Sequence, residues 1–174
     1  MHVDTANITD IMNSFIDSTI RIFKIFLDNK TKFNKTNVYI NSNNCTHMDI
    51  TSINYFEGDV DGMFLLCTPN TLTLDLVSNF LDTKLRVINN TAIEGISEIS
   101  RIITDNARKT CMNSLNINLK VTQPIIFSIK KHPLNIEKFD ISPIGVSYNV
   151  IRNDYSDLFN IEFVYKMDKN TLNL

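Results

Sequence analysis

The chain has 174 residues, 43% of them hydrophobic and 21% charged, with 17 Lys and Arg against 19 Asp and Glu. That composition excludes a disordered or fibrous chain, and the length suffices for one domain over residues 1–174 whose core needs no metal or disulfide support. Near-balanced charge with no run of one sign disfavours nucleic acid and an anionic membrane as partners and leaves a protein or a small ligand.

The opening "MHVDTANITDIMNSF" lacks a basic start followed by an apolar core, and no stretch approaches about 18 consecutive apolar residues, so a cytoplasmic protein is expected. From Ile8 to Leu27, residues such as Ile11, Phe15, Ile22, Phe23 and Phe26 recur at helical spacing, with Asp10, Asp17 and Lys24 turned away. This predicts a long amphipathic helix. Asn29 to Asp49 reads as a polar loop with one short extended piece at Asn37–Ile40. "MDITSINYFEGDVDGMFLLCTP" predicts a hairpin turning at Glu57–Asp59, with Gly58 supplying a positive φ and Gly62 marking a bulge or a close backbone approach. Thr68 and Pro69 read as the cap and first residue of a helix ending near Leu81.

Thr91 and Glu94 have capping-box spacing, and Ile93, Ile96, Ile99, Ile103, Ala107 and Cys111 continue an apolar stripe to about Met112. Leu119–Lys130, Ile144–Ile151 and Leu158–Met167 are rich in Val, Ile, Phe and Tyr and read as three antiparallel strands, with turn signals at His132-Pro133 and Ser142-Pro143. The predicted class is α+β: two long helices and a shorter one on a largely antiparallel sheet. Cys45, Cys67 and Cys111 are odd in number and widely spaced, which points to reduced thiols. Cys45 and His47 have no second Cys/His cluster to complete a metal site, so none is expected.

The residues with most chemistry lie on the third predicted helix. At 100° per residue, Glu94, Glu98, Arg101, Asp105 and Arg108 gather within about 80° of one another, opposite Ile96, Ile103 and Ala107. Opposite charges three and four residues apart suit a solvated ladder of ion pairs, a common feature of exposed helices. The same row suits an interaction face, and spacing alone leaves both readings open.

The segment "EGISEISRIITDNAR", Glu94 to Arg108, resembles the signature helix of the CheX branch of the CheC, CheX and FliY chemotaxis phosphatases, roughly D-A-V-G-E-I-x-N-M-V-x-G-N-A-K. Glu98, Ile99, Asn106 and Ala107 match, and Glu94 and Arg108 are like-charge replacements. "INYFEGDVDGMFLLCTP", "INLKVTQPIIFSIKKH" and "PIGVSYNVI" are similar, in the same order, to the family's hairpin, proline-led strand and following strand, and "FIDSTIRIFKIFL" fits its first helix.

The resemblance implies that Glu98 and the residue at position 101 project into the active site of a phosphorylated CheY-type receiver. The family's glutamate pairs with a receiver lysine, and its asparagine orients the water that attacks the aspartyl phosphate. Mg2+ belongs to the receiver, so no cofactor of the chain's own is implied, whereas a homodimer is. Glu94, Asp105 and Arg108 would complete the contact face. Arg101 occupies the asparagine position, and a guanidinium offers five donors and no acceptor, so it cannot reproduce the amide's contact with water. Two functions follow: aspartyl-phosphate hydrolysis with an altered group at position 101, or non-catalytic docking of the same receiver.

Overall fold

A computed structural model of the chain describes residues 5–28, 30–40, 48–128, 144–152 and 155–165. Cys45, His47 and the turn signals at His132-Pro133 and Ser142-Pro143 lie outside them. Among the described residues, three helices accompany one sheet: α1 Thr5–Leu27, β1 Lys32–Ile40, β2 Ile50–Gly58, β3 Gly62–Thr68, α2 Asn70–Phe80, α3 Asn90–Leu115, β4 Leu119–Val121, β5 Ile125–Ser128, β6 Ile144–Arg152 and β7 Tyr155–Tyr165. The strand order is β1-β6-β7-β3-β2-β4, with β5 also on β2, and every pairing is antiparallel. The expected α+β class is the one observed, with α1 and α3 the two longest helices.

The apolar stripes explain the layering. Ile11, Phe15, Ile22 and Phe23 of α1 and Ile96, Ile99, Ile103 and Ala107 of α3 join Phe64, Leu66, Phe159, Ile161 and Phe163 in one core. Phe15 packs against Phe56, Phe64 and Phe163 at ring-centroid distances of 5.7, 5.1 and 5.7 Å, which ties α1 to three strands. The Ser18 hydroxyl donates to the Ile103 carbonyl across the helix pair at 2.8 Å. Alternation along the strands sends Ile53, Met63, Leu65, Cys67 and Val164 into a second cluster on the other face. There the buried Tyr39 hydroxyl donates to Glu162 at 2.8 Å, in line with Gly145 between them in the ladder. A Cβ on Gly145 would stand 2.2 Å from the Tyr39 ring, so glycine makes the notch that lets tyrosine cross β6.

Several expectations need correction. The extended piece at Asn37–Ile40 is the end of a nine-residue strand, β1, because an edge strand held by backbone bonds to β6 can be polar and exposed along most of its length. Thr68 does not cap α2: it ends β3, and the Asp49 carboxylate accepts the Asn70 N–H at 2.9 Å instead. The cap of α3 is Asn89, whose side chain accepts from the Ala92 N–H at 3.0 Å, with Thr91 and Glu94 already helical. That helix runs past Met112 to Leu115, where Asn116 adopts a left-handed φ of 56°. The strand expected over Leu119–Lys130 is broken at 122–124, since Pro124 has no N–H for the ladder. Cys67 is disulfide-bonded, which corrects the expectation of a reduced thiol there, while Cys111 is free and buried.

Gly58 and Gly62 are used as their positions suggested. Gly58 has φ +140°, and a Cβ there would lie 2.3 Å from the Asn118 carbonyl oxygen. The turn is latched to the end of α3 by Asp59 N–H donating to Asn118 O at 3.0 Å and Asn118 N–H donating to the Asp59 carboxylate at 2.8 Å. Gly62 is a close approach, with Val164 O 2.5 Å from its would-be Cβ, and the β2–β3 register is unbroken beside it. Gly58→Ala should lower stability by about 1–3 kcal/mol, read from urea unfolding, because strain and clash fall on one atom. An unchanged midpoint would show that the latch yields.

Candidate functional site on α3

Burial of Ile96, Ile99, Ile103 and Ala107 turns the opposite side of α3 to solvent, and there the structure brings together four of the five expected residues. Arg101 is the hub. Its Nε donates to Glu98 Oε2 at 2.8 Å and its Nη2 to Glu98 Oε1 at 2.5 Å, while Nη1 donates to Asp105 Oδ2 at 3.0 Å. Arg108 Nε lies 3.9 Å from Asp105 Oδ1, at the outer limit of an ion pair. Glu94, one turn before Glu98, is exposed and takes no part in these pairs. Asn106 points away from Arg101 by about 140° and offers no substitute amide.

The electrostatics follow from this fork. Hydrogen bonding from Arg101, aided by its charge, holds the Glu98 carboxyl below its ordinary range against a smaller opposing effect of desolvation. The same hydrogen bond, then the charge of Glu98, raises the Arg101 guanidinium further above its already high value. Side chains about 40% exposed are strongly screened, so the lowered carboxyl pKa carries little stability. Its sign is definite: the contribution is present above the unfolded carboxylate pKa and is lost as pH falls through the lowered folded one. Glu98→Gln should therefore shift the thermal midpoint at pH 7 by less than about 3 °C, and by still less near pH 3. A larger loss at pH 7 would mean that the ladder holds the fold together.

Beside the row lies a shallow open groove of about 460 Å³, lined by Ile93, Glu94, Ser97 and Glu98 of α3 and by Pro124, Ile125 and Ile126 at the start of β5. Its apolar wall and acidic rim put Glu94 and Glu98 at the edge of a surface that a partner can cover. Sequence spacing missed Ser97 and the β5 wall, because the latter depends on where the broken strand comes to rest. Between β2, α3 and the break after β4, the Ser52 hydroxyl donates to Ser100 at 2.7 Å, Ser100 donates to the Asn54 side-chain carbonyl at 2.8 Å, and the Asn54 amide donates to the Thr122 carbonyl at 3.2 Å. Ser52, Asn54 and Ser100 are fully buried. Their one sequence signal is polar residues at core-facing positions of a strand and a helix. Among the described residues, no three His, Cys, Asp or Glu side chains converge as a metal site, and no helix is long and apolar enough to cross a membrane.

No protein-family model and no curated protein matches the chain. Solved structures do. A CheC-like superfamily protein from Shewanella sp. PV-4 superposes at TM-score 0.75, with 20% identity over 96% of this chain and 100% of that one. The chemotaxis protein CheX from Vibrio vulnificus superposes at TM-score 0.72, with 17% identity over 90% of this chain and 99% of that one. CheX from Borrelia burgdorferi, solved with CheY, BeF3 and Mg2+, superposes at TM-score 0.66, with 12% identity over 90% of this chain and 97% of that one. The architecture that the residues of Glu94–Arg108 and the β2–β3 hairpin led us to expect is thus the observed one: the chain has the CheC/CheX fold.

Proposed function

We propose that the chain is a CheX-type member of the CheC, CheX and FliY family, and that it docks a phosphorylated CheY-type receiver through the exposed side of α3 with little or no hydrolysis of the aspartyl phosphate. The supporting likeness is that of a CheX solved together with CheY. The observation that carries the choice of docking over catalysis is the Arg101 fork: both oxygens of Glu98 are engaged by a guanidinium that has no acceptor for an attacking water. Water positioning in phosphoryl transfer needs such an acceptor, since most of the rate gain comes from alignment. In this reading Glu98 is the docking anion, Arg101 faces the phosphoryl group, Glu94, Asp105 and Arg108 surround them, and Mg2+ stays with the receiver. The setting is cytoplasmic chemotaxis or another receiver-based pathway.

Phosphate release from the receivers encoded in the same genome tests this directly. Binding of a phosphorylated receiver without accelerated release is the expected result, and rapid release by the unaltered chain would restore the phosphatase reading. The resemblance of the sequence to the family implies a homodimer, and the exposed edge strand β1 is a surface on which a second copy can add. Sedimentation should give a mass about twice the 20.0 kDa of the chain. A concentration-independent mass of one chain would reject the dimer and leave the docking proposal intact.

A further inference from the structure

The hydrogen-bonded relay from Ser52 to Thr122 has a direction and an end point. Each hydroxyl passes its donor onward, from Ser52 to Ser100 to the Asn54 carbonyl, and the Asn54 amide then grips the Thr122 carbonyl. Thr122 opens the break between β4 and β5, where ladder pairing lapses opposite Asn54 and Tyr55. Two further bonds hold it: its N–H donates to Tyr55 O at 2.9 Å, and its Oγ1 accepts the Tyr55 N–H at 3.1 Å. Two residues on, Pro124 begins the apolar wall of the groove, and the opposite wall is α3, which carries Ser100. We propose that Asn54 is a positioning residue that, bonded to Ser100 on one side and Thr122 on the other, sets the gap between α3 and the Pro124–Ile126 wall and so preforms the groove beside Glu98. That the groove receives a receiver rests on the docking function proposed above. The mechanical coupling does not.

Asn54→Asp tests it without changing side-chain size. A protonated carboxyl can still donate to Thr122, whereas an ionised one presents an oxygen to that carbonyl and lets it go. Burial raises the carboxyl pKa, so the grip should hold at about pH 5 and be lost towards about pH 8. Its surroundings are Ser52 on its own strand, Ser100 from α3, Thr122 from the break and Phe64 across the ladder, none of which titrates in that range. Glu98 and Arg101 face solvent, paired with each other.

Amide hydrogen exchange, corrected for its intrinsic pH dependence, should show protection at 122–126 falling about tenfold or more with rising pH in this variant. Protection at Leu65–Leu66 and Ile161–Phe163, and throughout the unaltered protein, should stay level. Affinity for a BeF3-activated receiver from the same genome should fall over the same pH range in the variant alone. Should the variant not fold at the higher pH, Ser100→Ala, which removes the α3 end of the relay, should still loosen 122–126 selectively at pH 7. Uniform loss of protection across the sheet, or a pH-independent change at 122–126, would overturn the assignment. If no receiver binds the unaltered chain, the docking function fails while the exchange result still decides the role of Asn54.

Discussion

Ile103→Asp should abolish cooperative folding. Ile103 is 0% exposed at the centre of the α1–α3 contact, and its carbonyl takes the Ser18 hydroxyl. Removing its packing costs about 2–5 kcal/mol, and burying a carboxyl without a partner adds several more, against a total stability of about 5–15 kcal/mol. Ile103→Val, which removes one methylene group, should cost only about 0.5–1.5 kcal/mol and keep the fold. Circular dichroism with urea titration reads both. A soluble Ile103→Asp variant with a sharp transition would mean that α3 does not pack as described.

Arg101→Asn should raise receiver dephosphorylation, on the order of 10²-fold if alignment of the water is what the unaltered site lacks. The change restores a side-chain carbonyl that accepts from water and an amide that donates to a phosphoryl oxygen. It also releases both Glu98 oxygens from the fork that engages them. Binding and turnover should separate under a second change. Glu98→Lys should weaken receiver association in both backgrounds, because a like charge then meets the opposing cation, whereas Arg101→Asn should act chiefly on the chemical step. Full activity in the unaltered chain together with its loss in Arg101→Asn would make Arg101 a catalytic replacement and reverse the proposed function.

The helices and the main hairpin were legible because their signals are local. Apolar residues at three- and four-residue steps define α1 and α3 whatever surrounds them, and Gly58 marks its turn by a φ of +140° that few other residues tolerate. The charged row was legible for the same reason, down to the pairing of Arg101 with Glu98 and Asp105. Hidden features depend on distant partners. The strand β1 shows little apolar alternation because its order comes from β6, more than a hundred residues away. The groove wall needs the break at 122–124 to settle beside α3, which no local signal encodes. Asn54 lies within β2 and gives no local sign of its partner on α3. It is a joint between that strand and α3.

The ladder between β1 and β6 also bears on how the chain folds. Lys32 pairs with Ile151, and Ile40 with Ile144, so among the described residues β1 has no sheet neighbour until β6 has been synthesised. Loop closure over such separations precedes any reward in hydrogen bonds or buried surface, which slows folding relative to chains built from local contacts. During synthesis, Phe15 can meet Phe56 and Phe64, and Phe23 can meet Phe33, but their cover is complete only when Phe163 and Phe159 arrive. Until then part of the apolar face of α1 stays uncovered, which exposes the growing chain to misassembly.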